Sequence, residues 1–505
     1  MFSVQSRLPN VIRPQLILII VSFFIGVFPI LTAILIDPAG VKGFMFVIPW
    51  LLMVVTVGVL LSIWSPDYVW KVLLWLILFQ EISLMILANF FGGDVTTALN
   101  LSKDLFALSV LSVLLLKPNL RIRVTFIDTL AVAFIGLNVF SFLFSLGKTP
   151  LFALGTAFKQ NIMPYCLFLI GRLLPMPFEA QPKLVRLLIN AGFFVAVFGL
   201  LERFLLGDRF WIWLGIYELA KNEGVFGLFN LLQGYGATRA PTIFYFMGDP
   251  SLRRLASIFG QPPLTSYFLA LPLIILLFVS PLYAYGKVKT KVLIATIGAT
   301  LVLTVGRGGE IIGGIGVMML FLKRNKLLFA ITGMIFLVMF SLSSDLRYMF
   351  SFEAIRFRHL KGLLNGLAVA LETPFGHGVG SGGNYANWYG LQSQGGVVQE
   401  SYVGSLGYQL GIVGLGMYAL FRLLLFYRLY FFKTEARLPL FYSQFSQAIG
   451  VATLGAFVAS FLAEAAVGFL STGLYMLCAG MALRNILLQT SGKRNEHWKL
   501  AKVKH

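Results

Sequence analysis

Stretches of about 20 predominantly apolar residues, each long enough to cross a hydrocarbon core, recur along this chain and set its fold class. About fourteen can be counted, centred near Phe24, Met53, Phe79, Ser109, Ala133, Asn161, Ala196, Leu273, Thr296, Val317, Gly333, Gly416, Gly455 and Met476. So many lipid-facing segments can satisfy their backbones only as helices, so a helical bundle is expected. Of 505 residues, 58% are hydrophobic and 12% charged, where soluble domains have about 45–50% and about 25%. The sequence therefore predicts an all-α polytopic membrane protein of about 12–14 transmembrane helices. The first apolar stretch, residues 15–36, is too long for the core of a cleavable signal and reads as a retained span.

The formal net charge is +20. A nucleic-acid binder clusters its basic residues on a polar domain, whereas these lie in short runs between apolar segments, so no DNA or RNA partner follows. With a cytoplasmic N-terminus carrying Arg7 and Arg13, alternate loops place Lys71, Lys117/Arg121/Arg123, Arg172/Lys183/Arg186, Lys287/Lys289/Lys291, Lys323/Arg324/Lys326, Arg422/Arg428/Lys433/Arg437 and the basic tail on one side. The positive-inside rule is met at nearly every turn, which predicts both termini in the cytoplasm.

The same count divides the chain into N-terminal spans (1–206), an extracytoplasmic loop (207–263), central spans (264–343), a second extracytoplasmic loop (344–401), C-terminal spans (402–490) and a basic cytoplasmic tail (491–505). Long loops in compact proteins are usually functional or disordered. The first, with Phe210, Trp211 and Trp213, suggests helices along the outer interface. No inverted repeat of the transporter kind is evident. Cys166 and Cys478 fall in apolar segments, which argues for neither a disulfide nor a metal site.

The second loop holds the chemistry-bearing residues. It ends in Glu400-Ser401-Tyr402, followed by the Gly411-x-x-Gly414 of the next span. A carboxylate partly desolvated at the membrane boundary has its pKa raised toward the working range of a general base. Acidic residues are equally favoured as helix caps, and position alone does not separate the two roles of Glu400. His377 stands in a Gly-rich run with Gly378-x-Gly380-x-x-Gly383, either a second base or a surface side chain. That run lacks the βαβ context of a dinucleotide fingerprint and the Lys-Ser/Thr of a phosphate loop. Upstream, Arg356, Arg358, His359 and Lys361 precede Leu363, Leu364 and Leu367, and with Leu360 the spacing predicts a short amphipathic surface helix.

Two arginine positions lie on the outer side, which topogenic bias does not explain. Arg253 and Arg254 open RRLASIFGQPPLTSYF, and Arg307 sits in the hairpin TVGRGGE. A guanidinium is always charged and grips phosphate oxygens through a planar fork. The alternative is that Arg253 and Arg254 snorkel to headgroups and Arg307 caps a turn. Glu81, Asp128, Glu202 and Glu464 fall in apolar segments, where a charge is a functional suspect, but they share no relay spacing; Glu202 and its neighbour Arg203 are expected to pair.

The arginine entering a Pro-containing helix, the arginine at a glycine hairpin, and Glu400-Ser401 nine residues before Gly411-x-x-Gly414 resemble, in that order, the O-antigen ligase and polymerase family of membrane glycosyltransferases. Glu400 stands where that family carries a His, which leans the reading toward polymerase. The resemblance covers roughly residues 254–416. It implies a GT-C-like arrangement in a bacterial cytoplasmic membrane and an inverting, metal-independent transfer at the outer face, with no cofactor. An undecaprenyl-diphosphate-linked glycan would be the donor, held by Arg254 and Arg307 with Glu400 as base. Arg253, Arg356, Arg358, His377, Ser401 and Tyr402 would contribute to substrate binding. A glycan acceptor, membrane lipid, chain-length regulators and flippases are the implied partners. The alternatives are a ligase joining a finished glycan to a lipid or protein, and a transporter or flippase for lipid-linked glycans.

Overall fold

The computed structural model describes residues 41–91, 100–117, 123–222, 245–246, 249–279, 286–324, 360–383, 386, 401–431 and 439–490. Six helices follow one another: α1 (Val41–Trp64), α2 (Pro66–Phe91), α3 (Ser102–Leu116), α4 (Phe126–Ser145), α5 (Leu151–Leu173) and α6 (Ala180–Leu201). A π-helical turn, Glu202–Leu206, leads to the short helices α7 (Gly207–Leu214) and α8 (Ile216–Asn222). The strands β1 (Tyr245–Phe246) and β2 (Asp249–Arg253) pair antiparallel, and the 3-10 turn Ser257–Phe259 enters α9 (Pro262–Phe278). Then come α10 (Lys287–Leu303), α11 (Arg307–Arg324), α12 (Lys361–Glu372), α13 (Tyr402–Phe431), α14 (Leu440–Ala459), a 3-10 turn Glu464–Ala466 and α15 (Gly473–Thr490).

Apart from that hairpin, the regular structure of the described residues is helical, as an all-α membrane protein requires. Four stretches, Pro66–Asn89, Phe126–Ser145, Ala180–Leu214 and Tyr402–Phe431, are long and apolar enough to cross a membrane. Pro49–Trp64, Pro262–Phe278 and Gly473–Leu488 are shorter apolar helices. Large apolar side chains stay exposed on such helices, among them Val132, Phe140, Leu143 and Phe144 of α4, a surface suited to lipid rather than water. The expected spans near Phe24 and Gly333 lie outside the described residues.

Two of the long stretches are broken by a glycine. Gly411 of α13 adopts φ 64°, ψ −164°, a conformation open to glycine and strained for other residues. The rings of Tyr402 and Tyr418 pack with centroids 5.3 Å apart, whereas sixteen residues of straight helix would separate them by about 24 Å. The arm 402–410 therefore folds back along 412–431. Gly207 breaks α6 from α7 in the same way, with φ 64° and ψ −161°. There the indole of Trp211 reaches the Glu202 carboxylate at 2.8 Å, nine residues back, a span of about 13 Å in an unbroken helix.

The folded-back arm lies against α12. A Cβ on Gly366 would strike the backbone of Gly404, and one on Gly404 the backbone of Gly362 and Leu363. The expected helix of the second loop is present, but its buried face consists of Gly362, Leu363, Gly366 and Ala370, while Leu364 is exposed. Close backbone approach, permitted by small residues, selects the contact face in place of the leucine spacing.

Loops expected on one side of the membrane gather at one end of the bundle. Val379 N–H donates to Ser141 Oγ near the end of α4, Leu255 N–H to the carbonyl of Leu303, and Gln160 to the carbonyls of Glu464 and Val467. At the other end Arg172 pairs with Asp128 at 2.7 Å, Tyr442 donates to the Phe178 carbonyl, and Gln181 and Asn485 exchange amide hydrogen bonds. Asp128 also completes a capping box with Thr125, so this acid anchors α4 and α5. Arg422, expected among the topogenic loop charges, is instead buried inside the bundle, where it reaches Met476 of α15.

Candidate functional site

Arg254 of the first loop and Arg307 meet at one turn. Arg254 follows β2, and its Nε and Nη2 donate to the carbonyls of Thr304 (3.1 Å) and Val305 (2.9 Å), in the turn between α10 and α11. Arg307 begins α11 two residues later. Val305 has φ 47°, strained for a β-branched residue and held only where surroundings enforce it. Ser257 shares this feature on the Arg254 side, with φ 52°. Its hydroxyl is fixed on the Val195 carbonyl at 2.6 Å.

Glycines let this turn approach α9. A Cβ on Gly308 would collide with the hydroxyl of Tyr267, and one on Gly309 with the backbone of Ser266. The glycines beside Arg307 thus serve helix packing. Arg307 itself is half-buried, and Glu310 lies one turn further along α11. Burial pulls the pKa of Arg254 down to about 10; the Glu310 carboxylate opposes that fall and the Arg307 charge adds to it. Arg254 therefore remains cationic at neutral pH, with Arg307 and Glu310 beside it.

Arg253 has a different task. Its Nε donates to Asp208 Oδ1 at 2.8 Å, its Nη2 to the fully buried Glu202, and its Nη1 to the Arg203 carbonyl. Glu202 also accepts from Trp211 and from the N–H groups of Ala256 and Ser257. The expected pairing of Glu202 with Arg203 is replaced by one with Arg253, because Gly207 turns the chain back toward β2. Arg203 instead donates to the carbonyls of Arg253 and Leu303. This network fixes the segment on which Arg254 stands.

The Gly-rich run forms a second polar centre. Gly376, Gly378, Gly380 and Gly383 all have positive φ. The loop wraps Gln409: its Oε1 accepts from Gly380 N–H at 3.1 Å, and its Nε2 donates to the Gly382 carbonyl and to Ser405 Oγ. Ser405 donates in turn to Glu464 at 3.4 Å. A Cβ on Gly383 would collide with that same carboxylate. The GxGxxG match is therefore a docking loop that brings backbone to a buried glutamate. His377 is exposed at its rim, its ring 4.7 Å from that of Tyr408.

Ser401 and Tyr402 lie at the opposite end of the arm 402–410, about 11–12 Å of helix from Gln409 and its loop. Ser401 is buried and its hydroxyl accepts from Gly404 N–H at 3.1 Å, the bond expected of an N-cap. Capping falls to Ser401, one residue after Glu400. Tyr402 donates to Asn161 at 3.1 Å, and Asn161 to Asn138. Glu400, Arg356 and Arg358 lie outside the described residues.

A third cluster gathers around Glu81, an acid whose sequence spacing shows no relay. Lys159 pairs with Asp104 at 3.2 Å, and the charges of Lys103 and Lys159 act on buried Glu81. Lys103 also sits 5.9 Å from the ring centroid of Phe469, in the segment after Glu464. Two bases and two acids from α2, α3 and α5 thus compensate one another beside the second polar centre. A Ser-Lys-Asp run at the start of an apolar helix was the available signal.

Among the described residues no three His, Cys, Asp or Glu side chains are grouped to hold a metal ion. No protein-family model matches the chain, and no curated protein matches it in sequence.

Proposed function

We propose that this protein is an inverting membrane glycosyltransferase that polymerises undecaprenyl-diphosphate-linked repeat units of O-antigen or exopolysaccharide at the outer face of a bacterial cytoplasmic membrane. One observation carries the reading: Arg254 and Arg307 meet on a single strained turn, where two guanidinium charges, one of them fixed on backbone carbonyls, suit a diphosphate. They stabilise the charge that develops on the leaving lipid diphosphate as the glycosidic bond breaks. Glu400 accepts the proton of the acceptor hydroxyl while that oxygen attacks the anomeric carbon from the opposite face. With Ser401 as the helix cap, that role does not compete with capping.

The experiment is made on the purified chain in liposomes given a short lipid-linked repeat, native against Glu400→Gln. A ladder of products that vanishes in the variant, with donor binding intact, supports the assignment. A ladder that persists removes Glu400 as base. A single product formed only on a separate lipid or protein acceptor identifies a ligase.

A transport reading has its own support in the glycine-broken helix α13, since interrupted helices form the binding sites of many secondary transporters. It requires movement of the lipid-linked glycan across the liposome membrane without elongation.

A further inference from the structure

Inside the bundle, Arg422 is 1% exposed on the long arm of α13. Its Nη1 donates to the thioether of Met476 at 3.1 Å, a weak acceptor. Its Cζ lies 5.3 Å from the ring centroid of Tyr418. Among the described residues, Nε and Nη2 have no hydrogen-bond partner, and neither do the buried hydroxyls of Tyr418 and of Tyr165. The Tyr165 ring packs 4.8 Å from that of Phe421, the residue before Arg422, and Tyr165 lies within electrostatic reach of the guanidinium.

A buried guanidinium without a counter-charge is costly. Glu464 acts on the same Tyr402 as Arg422 does, but its Oε1 is engaged by Ser405, and among the described residues no carboxylate is paired with Arg422. All four unpartnered atoms belong to groups able to donate, three N–H or O–H bearing groups drawn from α5 and α13. Their arrangement favours an acceptor bearing one negative charge. The walls, Phe168 and Phe421, are fully buried and apolar, which disfavours a multivalent or strongly hydrated ion.

We infer that Arg422, Tyr165 and Tyr418 form an internal binding site for a small monovalent inorganic anion, with chloride as its simplest occupant. The site lies on helices apart from the arginine turn, and the inference does not rest on the glycosyltransferase reading.

The test uses the purified full chain in detergent, titrated with sodium chloride against sodium gluconate at constant ionic strength. Thermal unfolding and the chloride NMR line width are followed together. The expected result is a saturable upward shift in Tm and saturable line broadening, both lost in Arg422→Met. Tyr418→Phe and Tyr165→Phe, which keep the ring packing, each weaken chloride binding roughly tenfold, the loss of one hydrogen bond to a charged group. If Arg422→Met does not fold, the two Tyr→Phe variants carry the test. Native protein indifferent to chloride, or chloride effects unchanged in these variants, overturns the site.

Discussion

Arg254 donates two hydrogen bonds to the carbonyls of Thr304 and Val305, and so holds the turn that carries Arg307. One side chain thus both supplies a charge and positions its neighbour. Arg254→Gln is expected to lose about 2 kcal/mol of stability, the scale of hydrogen bonds from a charged group, and to impair donor binding more than Arg307→Gln does. Thermal unfolding and donor titration on both variants check the order.

The strain at Val305 is tested by relieving it. Val305 has φ 47°, and Val305→Gly should raise stability by about 1 kcal/mol, offset in part by the added freedom of the unfolded chain. If the strain positions Arg307, donor affinity falls although the protein is more stable. Unchanged affinity would reduce the strained turn to a packing feature.

Arg253 and Glu202 form the support beneath Arg254. Arg253→Met strands a fully buried carboxylate and is expected to cost about 3–5 kcal/mol. Adding Glu202→Gln should recover more than half of that loss. Equal stability of the single and double variants, measured by chemical denaturation in micelles, would contradict the pairing.

The glycine contact between α12 and the folded-back arm gives a sharp contrast. Gly366→Ala drives a methyl into the backbone of Gly404 and should cost about 3 kcal/mol or more. Gly416, on the long arm of α13, has open space around it, and Gly416→Ala should gain up to about 1 kcal/mol from helix propensity.

For pH the sign follows from Arg254. Its folded pKa, about 10, lies below the ordinary guanidinium value, so folding disfavours the charged form. The resulting destabilisation is fully present below pH about 10 and is relieved as pH rises above it. At neutral pH the charge persists. Arg254 itself should therefore add no pH dependence to donor affinity between pH about 8 and 9, whereas Arg254→Lys, whose buried ammonium loses its proton more readily, should weaken binding toward pH about 9.

The helical class was legible because apolar length is a one-dimensional property of the chain. The breaks at Gly207 and Gly411 were not legible. Their φ values depend on partners such as the Pro374 carbonyl, which accepts from Val413 at 3.2 Å across forty residues. Arg254 and Arg307 could be singled out by residue type and predicted side, but their meeting on one turn required the fold. Glu464 looked isolated because its neighbours, Ser405 and Gly383, are remote in sequence. Arg422 was misplaced for a related reason: its contact, Met476, is remote in sequence.

The most direct measurement is product length in liposomes supplied with a lipid-linked repeat, native chain against Arg307→Gln. The account predicts a ladder from the native protein and a loss of about 100-fold or more in elongation rate in the variant, the scale on which a missing electrostatic stabiliser acts. A correctly folded Arg307→Gln protein that elongates at the native rate would contradict it.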